Sequence, residues 1–388
     1  MTWAFRKKLQ RRYARQHLFN TLIAACLTVF ALAGSSTVRA QQAQTPRVSI
    51  DDDCTAISYT SDGRLAYATR HVFNLQKFQV QRDDIWILET DGRRRKILNG
   101  EKITRGAEAF SYTITRLRWS PDGTRVAAEL VTTQVNAKGE EVRDNLLLFI
   151  GQDGKDVKIA DGDNVVRGAI DGTYLAGNGK LAYLTETVKP NLMFSITIIE
   201  SPGGHVFPLF DRHSFAALAW NSKRGTAVAI EKNLTDASQT RLVELNLMSE
   251  DYRRLATLDS YVGGLSFSPS AAKVAFFRDI NTLEIHEMAD PALMARVHVA
   301  YGAINWAPDE KSVLVKRGLD RQEGDLVWVQ LPTPAADPES GPTEPVTPPA
   351  PTPILNGQTF RDFALAPNGH SIAVILLAKH TLQIFDLP

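Results

Sequence analysis

Three groups of side chains in this sequence are of types that do chemistry. They are the acidic run Asp51-Asp52-Asp53 and, after residue 40, seven scattered histidines and the single thiol Cys54. Carboxylates offer the hard oxygen ligands that Ca²⁺ takes. Neighbours on an extended strand point to opposite faces, so only Asp51 and Asp53 share a side as a candidate pair. The same run also reads as a solvated stretch covering a strand end, and that is the favoured reading. The histidines (His71, His205, His213, His286, His298, His370 and His380) form no His-x-x-x-His or Glu-x-x-His pattern. A metal-dependent site would need the fold itself to gather them. Acyl-transfer chemistry on a serine needs a Gly-x-Ser-x-Gly elbow with a downstream Asp and His, and no such pentapeptide occurs. Gly203-Gly204 and Gly263-Gly264 read as turn glycines, not as a phosphate cradle. No catalytic residue, metal set or cofactor follows from these residues. A lone Cys54 forms no intramolecular disulfide and reads as a small side chain entering a strand.

The elements that would have to position such groups are clearer than the groups. An alternating apolar segment, a turn and a second apolar segment recur seven times, and repeats of this kind set the fold. The copies are AISYTSDGRLAYA from Ala56, RLRWSPDGTRVA from Arg116, TYLAGNGKLAYLTE from Thr173, AALAWNSKRGTAVAIE from Ala216, GLSFSPSAAKVAFF from Gly264, AINWAPDEKSVLVK from Ala303 and FALAPNGHSIAVIL from Phe363. Period-two alternation marks strands. The turn residues Asp62-Gly63, Pro121-Asp122-Gly123, Pro269, Pro308-Asp309 and Pro367-Asn368-Gly369 preset φ, bond their own backbone or accept positive φ. An aromatic precedes most turns (Tyr59, Trp119, Trp220, Phe267, Trp306), placed to fill the space between neighbouring sheets. A third and, in most units, a fourth apolar run follow each pair. Four antiparallel strands per unit and seven units predict an all-β, seven-bladed β-propeller over residues 41–388. The last unit lacks a fourth run. Arg47-Val48-Ser49-Ile50 alternates correctly and is expected to supply that strand and close the ring.

Two segments differ from the repeats. Residues 1–40 begin with six basic residues from Arg6 to Arg15, continue with an apolar run from Leu18 to about Gly34, and end in Val38-Arg39-Ala40. This is the layout of a secretory signal peptide cut after Ala40. A retained membrane anchor, a lipobox at Cys26 and a twin-arginine signal at Arg11-Arg12 are weaker readings. Export to the periplasm or beyond is expected, with membrane contact only through an uncleaved or lipidated N-terminus. The segment carries seven Lys or Arg and no acids, so its removal leaves 37 basic against 43 acidic residues, a net charge of −6. Phosphate binding needs a basic surplus, so nucleic acid is not an expected partner. Pro332 to Pro353 holds nine prolines and reads as an extended, solvated insertion in the sixth unit.

WSPDGTRVA at 119–127 resembles the TolB-type propeller repeat, as do SFSPSAAKVAFF, NWAPDEKSVLVK and ALAPNGHSIAVI with one or two departures. Units one, three and four lack the proline. Together the repeats span about 54–388. Only about 14 residues separate Ala40 from the first repeat, too few for the N-terminal α/β domain of the TolB proteins. The resemblance implies a non-catalytic, monomeric propeller that binds a protein or peptide in the cell envelope. The alternative it leaves is an enzyme with a metal-dependent hydrolase or lyase site at the central channel. Binding loops are expected at Val72–Arg82, Thr132–Arg143 and Lys232–Gln239 on one face, with Phe110 and Tyr112 in a loop of the other face.

Overall fold

The computed structural model describes residues 45–75, 78–103, 110–120, 122–135, 138–159, 181–187, 193–199, 206–210, 213–221, 226–232, 240–289, 293–317, 324–331, 350–355 and 358–387. The segment 1–40, Pro121, the greater part of 232–239 and residues 332–349 of the Pro-rich insertion fall outside them.

Each repeat forms its own antiparallel sheet. The first comprises Cys54–Tyr59, Leu65–Thr69, Asp84–Leu88 and Arg94–Leu98. The second comprises Ser111–Trp119, Arg125–Val135, Glu141–Gly151 and Lys158–Ile159. Leu181–Thr187, Met193–Ile199 and Val206–Leu209 form the third, the stretch from Thr173 that would precede them being outside the described residues. Ser214–Asn221, Thr226–Lys232, Thr240–Asn246 and Asp251–Leu258 form the fourth. The fifth runs through Gly263–Phe267, Lys273–Asp279, Thr282–Glu287 and Leu293–His298, and the sixth through Gly302–Trp306, Ser312–Arg317, Leu326–Gln330 and Thr352–Ile354. The seventh has Phe360–Leu365, Ser371–Leu376 and Leu382–Asp386, and its outer strand is Val48–Ile50 from the other end of the chain. Val48 pairs Ile384, Ser49 pairs Gln383 and Ile50 pairs Leu382.

Burial explains the composition of the strands. Second strands such as Leu65–Thr69 are buried at every residue, so they read as continuous small and apolar runs, as strands covered on both faces do. Outer strands face water at one edge. Arg94–Leu98 exposes Arg94, Arg95 and Lys96, charges that protect an unpaired edge. Most neighbouring sheets are seen packing face to face. Ile85 and Ile87 of the first meet Ile114 and Leu148 of the second; Ile196 of the third meets Phe215 and Val243 of the fourth. Val228 of the fourth meets Val274 and Phe276 of the fifth, Ile285 of the fifth meets Val313 and Val327 of the sixth, and Leu314 of the sixth meets Phe363 and Val374 of the seventh. Ile50, Ile384 and Ala373 of the seventh return to Ile57 and Tyr67 of the first.

The Pro-rich insertion is shorter than the sequence implies. Thr352–Ile354 is a strand paired with Leu326–Trp328, and Pro353 pairs Val327. A proline is tolerated there because the strand is an edge and its missing N–H would face outward.

Candidate functional site

In a four-stranded meander the first-to-second and third-to-outer turns share one face, and the second-to-third and outer-to-next connections share the other. The first face is built alike in the units whose turns are described, the first, second, fifth, sixth and seventh. Ser120 Oγ donates to Asp122 Oδ1 at 2.5 Å, and Thr124 N–H donates to the same oxygen at 3.1 Å. Lys311 N–H donates to Asp309 (3.0 Å) and His370 N–H to Asn368 (2.9 Å). Thr60 donates to Asp62, and the Arg64 hydrogen bond beside it holds that carboxyl down at about 2. In each of these five turns the equivalent position has positive φ: Gly63 +89°, Gly123 +67° and Gly369 +73°, but also Ala271 +61° and Glu310 +57°. The aromatics stitch sheets together. Trp119 Nε1–H donates to Ser58 O at 3.0 Å and Trp306 Nε1–H to Ser266 O at 3.2 Å, each crossing to the residue before the aromatic (Tyr59, Phe267) of the preceding unit. Among the described residues Trp220 Nε1 has no acceptor. Pro269, Pro308 and Pro367 lie in the same turns, and Gly369 packs so closely on Pro308 that a Cβ would stand 2.8 Å from its Cδ. These residues hold the fold.

The opposite face is irregular and polar. Between the second and third strands of the first sheet, Val72–Leu75 and Phe78–Gln81 form a separate two-stranded ribbon. At its base lie two fully buried charges. Arg82 donates to Phe110 O at 2.8 Å and to Ile103 O at 2.7 Å, and its guanidinium lies 5.5 Å from the Phe73 ring. Asp83 accepts from Ile114 N–H (2.8 Å), Thr55 Oγ1 (3.2 Å) and Gln81 Nε2 (3.0 Å). Burial outweighs these donors and pushes its carboxyl up to about 6. Gly100 is required here, since a Cβ would stand 2.2 Å from Arg82 O.

This arrangement corrects the placement of Phe110 and Tyr112. Both are buried; Tyr112 pairs Arg82 and donates its hydroxyl to Asp83 O at 3.0 Å. They belong to the same face as the 72–82 ribbon. The physical reason is the meander itself, which returns the outer-to-next connection to the side of the second-to-third one. The second loop of this face, 132–143, is the tip of a long hairpin paired as far as Val135 with Glu141.

The first strands of the sheets stand side by side, those of the first and second sheets and of the first and seventh among them. In the seventh, Asp362 Oδ2 accepts from Ile57 N–H of the first sheet at 3.3 Å, and Oδ1 accepts from Phe363 N–H at 2.9 Å. Desolvation raises this carboxyl to about 6 despite Arg116 and Lys316 nearby. Arg361, at the bulge between Phe360 and Asp362, is half-buried. Burial and the neighbouring Arg70 push its guanidinium below the ordinary arginine value.

The acidic run is engaged by partners within the chain. Asp53 accepts from His380 Nδ1 at 2.7 Å and pairs Arg70 at 3.3 Å; Asp52 pairs Arg94; Asp51 accepts from Ser49 Oγ at 3.3 Å. Among the described residues no three His, Cys, Asp or Glu side chains converge as metal ligands. Four described histidines contact carboxylates: His71 contacts Asp84 and Glu101, His213 Glu231, His286 Glu284 and His380 Asp53. Cys54 is buried, and burial raises its thiol to about 12, which leaves it inert.

Known proteins share the fold without sharing the sequence. A chain of a mitotic checkpoint complex crystal structure aligns over 93% of this chain and 98% of its own, with a TM-score of 0.57 and 12% identity. The β-propeller domain of Myceliophteria thermophila Cps50 (Swd1) aligns over 89% and 100%, with a TM-score of 0.55 and 13% identity. The C-terminal WD40 domain of Sif2 aligns over 89% and 98%, with a TM-score of 0.50 and 14% identity. The chain has a WD40-like β-propeller fold. No family model matches the sequence, and no curated protein matches it. Sequence reasoning missed the polar seam of the propeller, Asp83, Arg361 and Asp362. The signal was present as Asp83 and Asp362 breaking the apolar alternation beside first strands, and it is unreadable without knowing which strands adjoin.

Proposed function

We propose that this chain is an exported, non-catalytic propeller of seven blades, TolB-like in its repeats, that acts as a protein- or peptide-binding scaffold in the cell envelope. The Val48–Ile50 strand in the seventh sheet supports a ring closed by the two ends of the chain. The basic and apolar layout of residues 1–40 supports export.

The observation that carries the binding reading is the asymmetry of the two faces. One face repeats a single turn in unit after unit and spends its polar groups on itself. The other carries a separate ribbon at 72–81, a projecting hairpin at 125–151 and buried charges beside the first strands. Binding residues concentrate on irregular loops held by a rigid scaffold. WD40 propeller domains are found in complexes, as in the checkpoint assembly above, which fits a protein partner.

The test is affinity capture of the mature protein from its own envelope fraction, with metal content measured on the same preparation. A stoichiometric protein or peptide partner is the expected result. Bound Ca²⁺ or Zn²⁺ with no partner would overturn the scaffold reading in favour of a channel-site enzyme.

A further inference from the structure

The strongest unassigned feature is Arg361. It lies on the first strand of the seventh sheet, where the register shifts between Phe360 and Asp362. A bulge of this kind turns one residue out of the ladder and re-aims its side chain. Arg361 is half-buried, and among the described residues its guanidinium has no hydrogen-bond or ion-pair partner. The charges that bear on it are Arg70, Asp53, Asp362 and Asp83.

None of the three carboxylates neutralises it by contact. Asp362 gives its oxygens to Ile57 N–H and Phe363 N–H. Asp83 gives its oxygens to Ile114 N–H, Thr55 and Gln81. Asp53 is held by Arg70 and His380. The acids are therefore spent on backbone and on other cations, and none of them hydrogen-bonds the Arg361 guanidinium. A partly desolvated cation without a partner costs free energy in the native state, and such a cost persists where a ligand relieves it. A guanidinium presents a planar fork of donors that fits a carboxylate with two parallel hydrogen bonds.

We propose that Arg361 forms an anion subsite at the seam of the first and seventh sheets that receives a carboxylate of the bound protein or peptide. This rests on the scaffold reading above and adds to it the chemistry of the ligand.

The test uses the full mature chain, with fluorescence polarisation at low salt against four labelled peptides. These are an end-blocked tetraglutamate, an end-blocked tetralysine, an end-blocked tetra-alanine and a tetra-alanine with a free C-terminal carboxylate. Tetraglutamate is expected to bind at least tenfold more tightly than tetralysine. Arg361→Met is expected to lose at least tenfold, and Arg361→Lys to retain part of the affinity. Tighter binding of the free-acid tetra-alanine than of its blocked form assigns the carboxylate to a chain terminus; preference for tetraglutamate alone assigns it to a side chain. Arg361→Met is also expected to melt at the wild-type temperature or above it, since it removes an uncompensated charge. A fall of several degrees would show that the guanidinium is a structural partner and overturn the proposal. So would undetectable tetraglutamate binding, or equal affinity in the wild type and Arg361→Met. Capture of the natural partner by wild type and variant alike would sink the subsite and leave the scaffold reading standing; failure of both to capture one would sink that reading.

Discussion

At the scale of the residue, the recurrent turn makes one demand that two units fail to meet with glycine. Ala271 and Glu310 adopt φ of +61° and +57° where other units have Gly63, Gly123 and Gly369. An L-residue in that region costs on the order of 1 kcal/mol. Glu310 regains some of it by bonding Ser270 across the seam between the fifth and sixth sheets. Ala271 has no such compensation, so Ala271→Gly is expected to stabilise the protein by roughly 0.5–1 kcal/mol, read as a shift of the urea midpoint at constant slope. A destabilised variant would refute this account of the turn. The buried acids make the second residue-scale prediction. Asp83 and Asp362 have carboxyls raised from 3.8 to about 6, chiefly by burial. Between those values the native state holds protons that the unfolded chain has released, so stability falls as pH rises from about 4 to about 6 and levels off above. Each group contributes on the order of 3 kcal/mol to that fall. Acids with depressed values, such as Asp62 at about 2, act below this window. Asp83→Asn should remove about half of the decline in unfolding free energy between pH 4.5 and 6.5. An unchanged slope would show that Asp83 titrates normally.

At the scale of the element, the Val48–Ile50 strand is the one whose role depends on the ends of the chain. Three ladder pairs tie it to Leu382–Asp386, Arg47 N–H donates to Ile384 O at 2.8 Å, and Ile50 lies in the apolar seam with Ile384 and Ile57. Deleting residues 41–50 exposes the edge of Leu382–Asp386 and the apolar surface under Ile50. Losing one buried isoleucine alone costs about 2–5 kcal/mol. Thermal denaturation should show the melting temperature lowered by several degrees, with aggregation through the bared edge; coincident melting curves would count against closure by this strand. The strand was legible in the sequence because Arg47-Val48-Ser49-Ile50 alternates as a strand does. The repeats were legible on local grounds too: Pro121-Asp122-Gly123 and its relatives carry local turn chemistry that reads without tertiary context. The seam was not legible, because Asp362 meets Ile57 across 305 residues of sequence, and nothing local marks that pairing. The misplacement of Phe110 and Tyr112 has the same origin. Their partners, Arg82 and Asp83, lie across a sheet, and only the direction of each connection decides the face.

At the scale of the molecule, the proposed division of stability and recognition between the two faces can be tested on the hairpin Arg125–Val135/Glu141–Gly151. Its lower part is structural: Leu130 and Leu146 are buried, and the first strand of the sheet pairs the hairpin as far as Ser111 with Thr133. Beyond Thr133 only Gln134 with Val142 and Val135 with Glu141 continue the ladder, and residues 138–141 are exposed. Removing all of 132–143 would also break the Ser111–Thr133 and Tyr112–Thr132 pairs. The informative variant therefore replaces residues 134–142 with Asn-Gly, which closes a two-residue hairpin with the native twist. With residues 138–141 exposed, the unfolding free energy should change by less than about 0.5 kcal/mol. If this face binds the partner, capture from the envelope fraction should fall at least tenfold while the fold stays intact. Full capture by a stable variant would move the binding surface away from the second blade, towards the 72–82 ribbon and the seam beside Arg361. Loss of both stability and capture would make the tip part of the scaffold and contradict the division of the faces.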